Sequence, residues 1–232
     1  MTRPPPAGPR GLSVPLRTAR GRSAASQAWL KRQLNDPYVA AAKSQGWRSR
    51  AAFKLMELDD RFHLLRRGLR VIDLGAAPGG WSQVAVARGA GLVVGLDRLP
   101  VDPLAGATFV VGDFEDPAMP VQLLALLGAK ADLVLSDLAP NTTGHSATDH
   151  LRIVALAEAA FAFAETVLVP GGAFVAKVFQ GGSERTLLMP MKQRFAAVRH
   201  AKPTASRRES SELYVVATGF RAQAQLAAEH GA

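Results

Sequence analysis

The sequence predicts one doubly wound α/β domain: a mostly parallel sheet with helices on both faces and an antiparallel hairpin at its C-terminal edge. Three observations predict it. Short apolar runs alternate with helix-length stretches from residue 69 onward, as expected of strands buried on both faces and joined by crossover helices. A glycine-rich turn follows the first run directly, and an acid stands at the end of four of the runs. The chain has 232 residues, 48% of them hydrophobic, which suffices for one core of this kind. No apolar run approaches the ~20 residues of a membrane span. With no cysteine, disulfides, thiolate metal sites and sulfur nucleophiles are excluded.

Residues 1–25 are rich in Pro, Gly, Arg and Ser, without an acid or an apolar period, and are expected to be a disordered basic arm. They lack the apolar stretch of a secretory signal. Their prolines oppose the amphipathic helix of an organellar transit peptide, so a cytoplasmic location is expected. Segment 26–65 reads as helical, through Trp29-Leu30, Leu34, Tyr38-Val39 and Ala51–Met56. Strands are then expected at Leu69–Leu74, Leu92–Leu96, Thr108–Val111, Ala131–Leu135, Gly172–Val178 and Leu213–Thr218. Helices are expected at Trp81–Arg88, Pro120–Leu127, Asp149–Leu168 and Glu184–Arg194. Arg199–Ser211 is too polar for a helix, so Phe195–His200 reads as a further strand that pairs with Leu213–Thr218 as the edge hairpin. The single domain spans 26–220, and 221–232 is a tail. A monomer is expected, since no strand edge or apolar helix face asks for a partner.

The net charge of +9 is unevenly placed. Residues 1–54 hold eleven Lys and Arg against one acid, Asp36; residues 55–184 hold nine bases and fifteen acids; residues 185–221 hold eight bases and two acids. Two basic segments around a mildly acidic middle suit a polyanion, and clustered Lys and Arg point to nucleic-acid phosphates. A solubilising surface charge is the plainer alternative.

The four strand-end acids are Asp73, Asp97, Asp113 and Asp137. In open α/β sheets ligands lie beyond the carboxyl ends of the strands, and packing does not explain unpaired charge repeated there. The first loop reads Asp73-Leu74-Gly75-Ala76-Ala77-Pro78-Gly79-Gly80-Trp81-Ser82. Ala77 stands where a dinucleotide loop has its second glycine, and Pro78 removes an amide donor, so a pyrophosphate is disfavoured. No Gly-Lys-Ser/Thr follows, which excludes a P-loop. A nucleoside without phosphates remains, with Asp97 on ribose hydroxyls and Asp113 on an adenine amino group. S-adenosyl-L-methionine, with its cationic sulfonium, fits that description.

Asp73–Gln83, with Arg48–Lys54, Ser136–Asn141 and Ala176–Gly181, resembles the signature of the FtsJ/RlmE-type ribose 2′-O-methyltransferases in four ordered motifs. The resemblance spans about residues 24–220. It implies a Rossmann-like S-adenosylmethionine-dependent methyltransferase fold whose cofactor contacts Gly79, Trp81, Asp97, Asp113 and Asp137. A core aromatic at a helix start is the plainer, less favoured alternative for Trp81. The family's catalytic Lys-Asp-Lys-Glu set falls on Lys54, Asp137, Lys177 and Glu212. Two of these stand out unaided: Lys177 interrupts an apolar strand, and Glu212 opens another after a basic loop. Snorkelling to the sheet end is the plain alternative for Lys177.

A ribose hydroxyl is a weak nucleophile, so in-line transfer from a sulfonium needs alignment and a proton acceptor. A lysine can accept that proton if burial and a neighbouring cation favour its neutral form. Lys177 is assigned as base and Lys54 as the neighbouring cation that also steers the ribose. Asp137 is expected to orient Lys177 and touch the cofactor, and Glu212 to position the lysines or substrate hydroxyls. Arg48, Arg50 and Lys54 on one side, and Lys192, Arg194, Arg199, Lys202, Arg207 and Arg208 on the other, are expected on RNA phosphates, which position without reading sequence.

Within the family the resemblance is to bacterial enzymes that methylate a uridine ribose in the peptidyl-transferase A-loop of 23S rRNA on the large ribosomal subunit. Ribose methylation of tRNA is the runner-up, followed by an assembly factor whose methylation is incidental and a nicotinamide dehydrogenase. Base C5 methylation generally needs a cysteine, and amino-group methylation uses a loop unlike Asp137-Leu138-Ala139-Pro140. No metal is expected. The histidines at 63, 145, 150, 200 and 230 show no ligand spacing.

Overall fold

The computed structural model describes residues 14–15, 21, 23–139, 146–179, 184–207 and 210–222. Most of the expected arm 1–25, Pro140-Asn141, Gln180-Gly181, Arg208, His145 and the tail from 223 lie outside the described residues.

The segment expected to be helical resolves into three helices: α1 (Ala24–Leu34), α2 (Pro37–Ser44) and α3 (Ala51–Phe62). The breaks are local chemistry. Asp36 caps α2 by accepting from Tyr38 N at 3.0 Å, with Pro37 at the first helical position. Gly46, at φ +75°, follows α2 and turns the chain toward α3.

The α/β part then runs β1 (Arg70–Leu74), α4 (Gly80–Ala87), β2 (Leu92–Asp97), β3 (Ala107–Val111), α5 (Met119–Leu127), β4 (Ala131–Ser136), α6 (Ser146–Val167), β5 (Leu168–Phe179), α7 (Glu184–Arg194), β6 (Phe195–Ala201) and β7 (Glu212–Phe220). The seven strands lie in the order β3-β2-β1-β4-β5-β7-β6. The pairs from β3 through β5 are parallel, while β7 is antiparallel to both β5 and β6. The expected edge hairpin is present, with β7 inserted between β5 and β6. Two details depart from the sequence pattern. β5 starts at Leu168 rather than Gly172, with a register irregularity against β4 between Ala131 and Leu133. β3, read as apolar on both faces, is an edge strand whose Val111 is 62% exposed.

The sheet separates two cores. Ile72, Leu74, Val134, Phe174, Ala176, Val178, Val215 and Ala217 face α5, α6 and α7. Val71, Leu133, Leu135, Val175, Tyr214 and Val216 face α3 and α4. Alternation with period two then decides where the polar exceptions point. Asp73 shares parity with Val71, Asp137 with Leu135, Lys177 with Val175, and Glu212 with Tyr214. All four therefore lie toward α3, the helix that carries Lys54.

Candidate active site

Register brings the reactive groups together. Lys177 lies directly opposite Tyr214, and Phe179 opposite Glu212, across β5 and β7. Asp137 follows the end of β4, whose Ser136 pairs with Ala176. Lys177 Nζ forms an ion pair with Asp137 Oδ1 at 3.0 Å and donates to the Asp137 carbonyl at 2.7 Å. Lys54 Nζ pairs with Glu212 Oε1 at 2.7 Å. The two pairs are joined by the Tyr214 hydroxyl, which donates to Asp137 Oδ1 at 2.8 Å and accepts from Lys54 Nζ at 3.1 Å. Both lysines and Tyr214 are buried, so all four expected catalytic residues form one connected polar cluster. Snorkelling does not describe Lys177, because its ammonium ends on Asp137 within the cluster.

The sequence reading left Tyr214 out as a site residue. The available signal was its parity with Glu212 two residues earlier, within a strand otherwise apolar. Burial and the neighbouring Asp137 and Glu212 carboxylates push its hydroxyl well above the usual tyrosine range, so it stays protonated and can donate. Burial works to raise Asp137, but Lys177, Lys54 and the Tyr214 hydroxyl outweigh it, and this carboxyl lies below the usual range. It remains an anion between two cations.

The glycine loop after β1 is fixed from several sides. Asp97 Oδ2 accepts from Ala77 N at 2.9 Å and its Oδ1 from Leu99 N at 2.8 Å, which ties the glycine loop to the segment after β2. Asp113 pairs with Arg98 and accepts from Glu115 N at 3.1 Å. Its carboxyl is lowered by the Glu115 amide and by Arg98. Gly79, at φ +101°, leaves room where a Cβ would sit 2.7 Å from Arg48 Nη1. Trp81 is a core residue: it is 3% exposed, its indole N–H donates to Ala51 O at 2.8 Å, and its ring lies 5.6 Å from that of Tyr214. Any part it plays toward a ligand falls to its backbone at the start of α4.

Asp73 lies beneath this loop. Its Oδ2 accepts from Ser82 Oγ at 2.7 Å, and its Oδ1 is buried without a hydrogen-bond partner among the described residues. Desolvation, reinforced by Asp137 and Asp97, raises its pKa to about 7 against the opposing Ser82 bond. A carboxyl raised in the folded state contributes stability below its unfolded value near 4, and that contribution is lost as pH rises toward 7. Asp73→Asn should therefore gain stability relative to the parent chain between pH 4.5 and 8, read by urea unfolding at both pH values. A difference independent of pH would show that Asp73 does not titrate there.

The expected phosphate track is corrected. The Arg48 guanidinium donates to Asp102 O at 2.7 Å and Pro103 O at 2.6 Å, latching the loop after β2. Arg50 pairs with Asp36 at 3.1 Å, and Arg207 with the same Asp36 oxygen at 3.2 Å. Lys54 belongs to the cluster. Arg194 pairs with Glu165 at 2.6 Å at the start of β6, about 20 Å along that strand from the loop entering the site. Lys192, Arg199 and Lys202 remain exposed, and Lys202 also donates to Ser210 O at 2.7 Å. Tertiary partners for these arginines could not be read from a run of positive charge.

The groups present fit a cationic nucleoside better than a phosphate. Pro78 has no amide to offer, and the Gly79 amide donates to Ala76 O at 2.5 Å, while carboxylates stand at the strand ends and Asp73 holds an orphaned oxygen. Among the described residues no group of His, Cys, Asp and Glu is arranged to hold a metal ion. None of their helices is long and apolar enough to cross a membrane.

Sheet order and polar cluster together define a Rossmann-like methyltransferase domain. The chain belongs to the FtsJ-like methyltransferase family, whose model matches residues 47–220. It is 73% identical over 217 residues to the ribosomal RNA large subunit methyltransferase E of Granulibacter bethesdensis, with 94% of each chain covered. It is 66% identical to the protein of the same name from Gluconobacter oxydans, over 96% of this chain and 83% of that one. Among solved structures, a Plasmodium falciparum chain provisionally described as a ribosomal RNA methyltransferase superposes with a TM-score of 0.69 at 28% identity, covering 76% of this chain and all of that one.

Proposed function

We propose that the protein transfers a methyl group from S-adenosyl-L-methionine to the 2′-hydroxyl of a uridine in 23S rRNA, in the peptidyl-transferase A-loop of the large ribosomal subunit. The observation that carries the chemistry is the cluster in which Lys177–Asp137 and Lys54–Glu212 are bridged by Tyr214. The names of the relatives carry the substrate class, a large-subunit ribosomal RNA.

When bound, the cofactor supplies a methyl group already activated by its sulfonium. Asp97 and Asp113 would hold its nucleoside, the backbone at Gly79 and Trp81 would let it approach the glycine loop, and Asp137 would face its charged end. Lys54 and Glu212 align the ribose. In its neutral form Lys177 would accept the hydroxyl proton while the bound cofactor supplies its methyl group to the ribose oxygen, and the ammonium so formed would rest on Asp137. Asp137 keeps the Lys177 ammonium in place, and Tyr214 couples the two ion pairs. Exposed Lys192 and Arg199 would meet phosphates.

The test offers labelled S-adenosylmethionine with unmodified large subunits, bare 23S rRNA and tRNA side by side, followed by digestion to nucleosides. Labelled 2′-O-methyluridine on subunits is the expected product. Label on tRNA would keep the reaction and overturn the target. RNA binding without label anywhere would favour an assembly role.

A further inference from the structure

We propose that Ser206 and Glu57 are positioning residues for Glu212, a role that rests on reading the cluster as a methyl-transfer site. Glu57 lies one turn beyond Lys54 on α3 and reaches the loop between β6 and β7 instead of solvent. Its Oε2 accepts from Thr204 N at 2.5 Å and its Oε1 from Ala205 N at 3.0 Å. Arg50, held by Asp36, donates to Ala205 O at 2.5 Å, and the Tyr38 hydroxyl lies 3.3 Å from Thr204 Oγ1. Ala205 is wholly buried and Ser206 is 5% exposed. The loop is therefore fixed to the N-terminal helices at two consecutive residues.

The next residue delivers the consequence. Ser206 Oγ donates to Glu212 Oε1 at 2.8 Å, the same oxygen that pairs with Lys54 at 2.7 Å and lies 3.3 Å from the Tyr214 hydroxyl. Among the described residues all three contacts fall on Oε1, which leaves Oε2 as the oxygen free to face a substrate hydroxyl. α3 thus determines the rotamer of Glu212 twice, directly through Lys54 and indirectly through Glu57, the loop and Ser206. A hydroxyl serving only to close the loop would act on stability and leave turnover alone.

The experiment compares Ser206→Val with Ser206→Thr in the full chain, because the two differ chiefly in the hydroxyl, together with Glu57→Gln. Loss of one hydrogen bond to a charged group should lower kcat by about tenfold in Ser206→Val, with KM for S-adenosylmethionine within about twofold. Ser206→Thr should recover most of kcat, and Glu57→Gln should fall between them. A crystal structure of Ser206→Val should show the Glu212 carboxylate moved away from Lys54. Unchanged kcat in Ser206→Val, or equal losses in Val and Thr variants, would overturn the proposal. If the parent chain transfers no methyl to any RNA, the methyl-transfer reading fails by itself. The crystal structures then decide the positioning role: Glu212 displaced in Ser206→Val but not in Ser206→Thr supports it, and Glu212 undisturbed in both overturns it.

Discussion

Lys177→Met is expected to lower methyl transfer by about 10²- to 10⁴-fold, the range of a positioned general base. Methionine keeps most of the side-chain volume within the strand, so the loss should fall on kcat rather than on folding. Asp137 would keep the Tyr214 hydroxyl at 2.8 Å and the nearby Lys54 charge, which limits the disturbance of the anion left behind. Single-turnover methylation and S-adenosylmethionine titration of the same variant separate the two effects. Lys54→Met should raise KM for RNA as well as lower kcat, since Lys54 is assigned to ribose alignment. Near-normal turnover in Lys177→Met with loss in Lys54→Met would transfer the role of base to Lys54.

The second large effect is on stability. Asp36→Ala should destabilise the fold by about 3 kcal/mol, combining loss of a helix cap with loss of the buried anion that holds two half-buried arginines. One oxygen caps α2 through Tyr38 N; the other meets both Arg50 and Arg207, and the Asp36 side chain is only 6% exposed. Those arginines come from opposite ends of the chain, so the carboxylate joins the N-terminal helices to the loop before β7. At this size about 3 kcal/mol corresponds to a fall of roughly 6–12 °C in Tm. Thermal unfolding within a degree or two of the parent would show that solvent screening already cancels the pairs.

Periodicity carried most of the architecture. The apolar runs at 172–178 and 213–218 were enough to place strands, and the observed register of β5 against β7 puts Lys177 and Glu212 on one face. What it could not supply was the third dimension. That Trp81 would place its indole N–H on the Ala51 carbonyl, or that Arg48 and Arg50 would be committed to carbonyls and to Asp36, depends on how α3 lies across the sheet. Tyr214 is hidden for a related reason: in an apolar strand a tyrosine reads as packing, and its parity with Glu212 gains meaning from the register that sets it opposite Lys177. β5 ran longer than expected because Pro170 and Gly171 suggest a turn, while the β4 edge still draws Leu168 into pairing.

The insertion of β7 between β5 and β6 bears on how the protein is made. Synthesis proceeds from the N-terminus, and domains take shape as their parts emerge. Until residues 212–220 have left the ribosome, β5 presents an unpaired edge with Lys177 on it, and β6 has no neighbour through which to join the sheet. Glu212 and Tyr214 arrive with that last strand. Closing that sheet edge and completing the polar cluster of Lys54, Asp137, Lys177, Glu212 and Tyr214 are therefore one event.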